Sequence, residues 1–120
     1  MRENFFAGVR RSDSEVSSMT SRPTHLVRLH SRLWRNCLDG TAEVLWKRPV
    51  PNANTLSFVA VHLIDARHYT VGLLGGSVEH PFGETFKDVR SMDDFIVHPA
   101  LDELIPGWAR VSDALEAGVD

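Results

Sequence analysis

Cysteine is almost absent: Cys37 stands alone among 120 residues. No disulfide can form within the chain, so packing alone must hold it, and a reducing compartment, the cytoplasm, is expected. Long apolar runs are missing too. None approaches the roughly 20 residues needed to cross a bilayer, and the N-terminus, MRENFFAGVRRSDSE, lacks the apolar core and cleavage site of a secretory signal. Charge of one sign is scarce. A net charge of −3 points to no nucleic-acid partner and no membrane surface. There is no alternating apolar pattern of the kind strands need, and no internal repeat. What is present, 42% hydrophobic and 24% charged residues, is the composition of one ordinary globular domain.

Helical periodicity organises that domain. Residues 1–23 are polar and aperiodic and read as a mobile N-terminal tail, leaving 24–120 as the folded unit. A first helix is predicted from Thr24 to Leu38. Leu26, Leu29, Leu33 and Cys37 form its stripe, Trp34 and Leu38 widen it, and Asp39-Gly40 supplies the stop. Pro49 and Pro51 limit the next stretch to a short helical turn at most. A second helix, capped by Asn54, spans Thr55 to Leu74 and ends at Gly75-Gly76. Its broad apolar arc holds Phe58, Tyr69, His62, Leu73, Ala66, Val59, Leu63 and Leu56. Val61, Ile64 and Val71 fall on the other side, as expected of a helix packed against several neighbours. Residues 77–97 read as a long connection. Pro99 opens a third helix carrying Leu101, Leu104, Ile105, Trp108, Val111 and Leu115, with a kink or break expected at Pro106-Gly107. The fold class is all-α, three main helices of a partial up-and-down bundle.

His62 is the first candidate for chemistry, because it sits within the apolar arc, where an imidazole needs a partner. It is either a core histidine bonded to a carbonyl or tyrosine, or a neutral imidazole ligating a divalent metal. Asp65 either orients His62 or a metal-bound water, or makes a surface pair. The other histidines are poorly placed to help. His68 points roughly 120° away from His62, and His25 and His30 lie about 140° apart on the first helix; His80 is in the connection and His98 precedes a proline. Cys37 reads as a small core hydrophobe rather than a nucleophile. Arg28, Arg32 and Arg35 form a row that is either a solvated flank or a site for a phosphate or the carboxylates of a thiol cofactor. Trp34, Trp46 and Trp108 read as packing residues.

The run RPVPNANTLSFVAVHLIDARHYTVGLLGG resembles the second-helix signature of the DinB-like (YfiT-like) superfamily of four-helix bundles. There, a proline-bearing loop and an asparagine precede the helix, an HLxDxR-type segment follows, and small residues close it. LDGTAEVLWKRP is similar to that family's connection from the first helix, and HPALDELIPGWARVSDALE to its third helix with a central tryptophan. The similarity covers roughly residues 24 to 118. It implies an intracellular bundle holding a divalent metal, zinc or nickel, through three histidines, in metal-dependent hydrolases and thiol-dependent transferases or isomerases. His62 matches the first ligand. The other two form an HxxxH pair on a fourth helix, and no HxxxH occurs in this sequence.

Two readings follow. Either the chain is a DinB-like domain lacking its fourth helix and inactive alone, or it is a non-catalytic self-association or protein-binding module. Both expect an open bundle face, exposing some of Phe58, Tyr69, Leu73 and the surroundings of Trp108, covered by a second copy in a homodimer or by a partner helix.

Overall fold

The computed structural model describes residues 22–96 and 98–119. The expected tail lies outside these residues for positions 1–21, while Arg22 and Pro23 already belong to the first helix. The described residues contain helices and no strand. They are α1 (Arg22–Leu38), α2 (Leu56–Leu73), the single turn α3 (Gly83–Phe86), a 3₁₀ turn at Met92–Asp94, and α4 (Leu101–Gly118).

Local chemistry sets the ends. Pro23 sits in the first turn of α1, where a missing N–H costs no intrahelical bond. At the start of α2 it is Thr55, not Asn54, that caps: its Oγ1 accepts the Phe58 N–H at 3.1 Å. At the other end Gly75 takes a positive φ of 86°. Its N–H donates to Gly72 O, and the Gly76 N–H donates to Val71 O. That paired pattern closes the helix on its own carbonyls. At α4, the Glu103 carboxylate accepts the Ala100 N–H at 3.2 Å. The helix then runs unbroken through Pro106 to Gly118.

α1 and α2 each pack along α4. Arg28 near the start of α1 pairs with Glu116 near the end of α4, so these two run in opposite directions. A Cβ on Gly118 would lie 3.4 Å from the Leu74 side chain, so α2 and α4 end together and run the same way. The segment from 75 to 100 must therefore carry the chain back along the bundle. It is more than a connection, because it delivers Phe86 and Phe95 into the core. Their rings meet Phe58 with centroids 5.9 and 5.4 Å away. Gly107 permits the close approach of this segment to α4. A Cβ there would fall 3.1 Å from the Phe82 ring and 3.2 Å from Pro81.

The helix faces differ from the sequence expectation. In α1 the inward arc holds buried Thr24 and Leu38 with half-buried Val27, Ser31 and Trp34, while Leu26, Leu33 and Cys37 are exposed and Leu29 is half-buried. In α2 the buried residues are Ser57, Phe58, Ala60, Val61, Ile64, Arg67 and Val71. His62, Ala66, Tyr69 and Leu73 face outward, so His62 is not on the buried face. The reason is that α2 carries apolar residues all round, and amphipathicity alone sets no direction. Contacts with α4 decide it. Trp46 likewise is exposed rather than packed.

This rotation has a direct check. Ile64→Ala, which empties a fully buried site, is expected to cost about 2–5 kcal/mol. His62→Leu on the outer face is expected to change stability by no more than about 0.5 kcal/mol. Urea melts of the two variants measure both, and the reverse ranking would place the wrong face of α2 in the core.

Candidate functional site

The most concentrated polar chemistry in the described residues surrounds Arg67, which is only 8% exposed. It lies one turn beyond Ile64 and Ala60 on the arc that α2 turns toward α4. Its Nη1 donates to Ser31 Oγ at 2.6 Å and to Ser112 Oγ at 3.0 Å. Its Nη2 donates to His30 Nδ1 at 2.8 Å, which requires that ring nitrogen to carry no proton. The guanidinium carbon sits 4.2 Å from the centroid of the Trp108 ring, a cation–π stack on a buried indole. Trp108 in turn donates its Nε1–H to Ser31 O at 2.9 Å and meets the Trp34 ring edge-on. One side chain of α2 thus binds two residues of α1 and two of α4. All four contacts are neutral. Burial lowers the pKa of Arg67, yet guanidinium remains charged at any ordinary pH, and its described hydrogen-bond partners include no carboxylate.

A second cluster joins α2 to the segment after it. His80 accepts the Phe82 N–H through Nδ1 at 3.0 Å, which places its proton on Nε2. That Nε2–H donates to Asp65 Oδ1 at 2.9 Å. The His68 ring lies against it, centroids 4.7 Å apart. Asp65 therefore orients His80, not His62, and both His80 nitrogens are engaged in pinning the turn at 80–82 to α2.

His62 itself stacks on Phe58 with parallel rings 6.2 Å apart and lies 6.3 Å from Phe86. Among the described residues, no group of three or more His, Cys, Asp or Glu is placed to hold a metal ion. The three-histidine site that the DinB-like resemblance implies does not fit the described residues. Cys37 is exposed, not a core hydrophobe. His98 lies beside Phe95 and Trp46, with its Nδ1 buried and unpartnered.

The arginine row of α1 is not simply a solvated flank. Arg28, Arg32 and Arg35 line a cavity of about 280 Å³ between α1 and α4, with Ser31, Trp108, Ala109, Ser112, Asp113 and Glu116. Arg28 pairs with Glu116, and Arg35 grips Asp39 through Nη1 at 3.0 and 3.1 Å.

The open face is of another kind. Leu26 (62% exposed) and Leu33 on α1, with Tyr69 (66%) and Leu73 (68%) on α2, are the large apolar side chains left in solvent on these two helices. On both helices the angular order runs from the residues facing α4, through those near the Arg67 contact, to this strip. On each helix this strip lies on the arc turned from α4, the element on which both α1 and α2 pack. Of Phe58, Tyr69 and Leu73, some of which were expected on the open face, Phe58 is buried, and Trp108, whose surroundings were expected there, is buried too.

The buried Arg67 and the Asp65–His80 pair escaped sequence reasoning. For Arg67 a signal existed: Ala60, Ile64, Arg67 and Val71 recur at helical spacing, so the arginine shares an arc with three apolar residues. No sequence signal joins Asp65 to His80, since only the path of the chain after Gly76 brings them together. Compared with known proteins, the chain matches no protein-family model, no curated protein and no solved structure.

Arg67→Ala is expected to cost about 3 kcal/mol or more, from charge-assisted hydrogen bonds, the stack on Trp108 and the space vacated. Arg67→Lys should rescue little of this, because one ammonium cannot reach acceptors on two helices while stacking flat. Denaturant melts of both variants supply the test. A lysine variant as stable as the parent would mean that the planar fork is not what joins the helices.

Proposed function

We propose that this chain is a non-catalytic self-association module of DinB-like lineage, acting as a homodimer through the outer face of its α1–α2 pair. The observation that supports this reading is the uncharged strip formed by Leu26, Leu29, Leu33 and Cys37 on α1 with Ala66, Tyr69 and Leu73 on α2. Four large apolar side chains each more than half exposed are the kind of surface that marks an association site. A two-fold axis through the strip would pack one antiparallel helix pair on another and surround each strip with helices on all sides. That is the burial a four-helix bundle provides. Catalysis is not part of the proposal, because His62 is the one counterpart of the three histidines the resemblance calls for.

Light scattering behind a sizing column at micromolar concentration should return twice the chain mass of 13.5 kDa. Leu33→Glu and Leu73→Glu should each shift it to the monomer while preserving helical circular dichroism. A wild-type monomer that binds no hydrophobic dye would sink the proposal. A dye-binding monomer would also overturn the homodimer, in favour of a partner's helix. The metalloenzyme alternative gains support only if zinc or nickel binds at sub-micromolar concentration in equilibrium dialysis and His62→Ala abolishes it.

A further inference from the structure

The cavity between α1 and α4 lies on the opposite side of α1 from the association strip, so occupation of one leaves the other free. Its composition is unusual for a surface groove. Arg67 lies directly beneath its floor, and the two hydroxyls that separate Arg67 from the groove, Ser31 and Ser112, both accept hydrogen bonds from that guanidinium. The Ser31 hydroxyl donates its own hydrogen bond to Val27 O at 2.6 Å. Ser112, 5% exposed, has a hydroxyl proton left to donate after accepting from Arg67. At the rim, Arg28 is engaged by Glu116 and Arg35 by Asp39, whereas Arg32 forms no ion pair among the described residues.

The balance of charge therefore favours an anion. The Arg28–Glu116 and Arg35–Asp39 pairs cancel in charge, leaving Arg67 below and Arg32 above against the single carboxylate of Asp113; Arg35 spends only Nη1 on Asp39 and has Nη2 and Nε left to donate. A buried cation with only neutral partners is stabilised by any anion that reaches its vicinity. Guanidinium groups with a hydroxyl donor, converging from two helices, offer more hydrogen bonds than the two oxygens of a carboxylate accept. They suit the three terminal oxygens of a phosphoryl group. We infer that this groove binds a small phosphomonoester, with Arg32 and Arg35 holding the phosphoryl oxygens at the rim and Ser112 donating from the floor. A cavity of about 280 Å³ has room for the phosphoryl group and a few attached heavy atoms, not for a polymer.

The experiment is a titration of the full chain with glycerol 3-phosphate, following the tryptophan indole N–H resonances, with sodium acetate as the carboxylate control at matched ionic strength. Saturable binding is expected for the phosphomonoester and not for acetate. The double variant R32Q/R35Q should weaken it at least tenfold, Ser112→Ala several-fold, and Asp113→Asn should tighten it. Arg48→Gln, remote from the groove, should leave it unchanged. Absence of saturable binding, equal binding of acetate, or an unaltered R32Q/R35Q protein with intact circular dichroism would each overturn the assignment. The readout is independent of oligomeric state, so the outcome for the dimer does not decide it.

Discussion

The stack of the Arg67 guanidinium on Trp108, with its hydrogen bonds to Ser31, Ser112 and His30, is the contact that sets how α1, α2 and α4 meet. Apolar packing by itself is non-directional and tolerates a helix turned by tens of degrees. A planar fork with two donating nitrogens does not. Once Arg67 points between α1 and α4, Ile64, Ala60 and Val71 must enter the core with it. His62, Tyr69 and Leu73 must then leave it. The Trp108 bond to Ser31 O fixes α1 in the same way, turning Trp34 and Leu38 inward and Leu26 and Leu33 out.

Two surfaces follow from that orientation. Away from α4, α1 and α2 present apolar residues that no described element covers. Toward α4, α1 presents arginines above a groove whose floor is polarised by the buried charge of Arg67. The first surface gains free energy by removal from water, which a second helix pair provides. The second gains by charge compensation, which an anion provides. The proposed association and the proposed anion site use different arcs of α1, so neither proposal requires the other.

The segment between α2 and α4 shows how an irregular stretch earns its place in a small bundle. His80 donates to Asp65 and accepts from Phe82, fixing a turn that lies against Gly107. From there the chain lays Phe86 and Phe95 on Phe58. These aromatic contacts close the end of the core where α2 begins, near Thr55 and Met92. The histidine and aspartate that stand out in the sequence as possible chemistry thus divide differently in space. Asp65 and His80 hold the chain path, and His62 is left on an outer face beside the Phe58 ring.

Much of the architecture was legible from residue order. The three long helices, their stops at Asp39-Gly40 and Gly75-Gly76, the buried run from Leu104 to Leu115 and the absence of strands among the described residues all follow from local rules that act within a few residues. Of the α2 arc expected to be partly open, Tyr69 and Leu73 lie in solvent and Phe58 is buried. The faces were not, because α1 bears two usable stripes and α2 is apolar almost all round, so periodicity could not choose between orientations of similar hydrophobic content. That choice rests on a side chain of α2 meeting side chains of α1 and α4, 36 and 45 residues away in sequence. Sequence by itself determined which segments are helical and how much apolar surface they carry. Only the tertiary structure decided which part of that surface is buried, since the apolar residues around a buried cation pack in the orientation that also gives it neutral acceptors and an indole face.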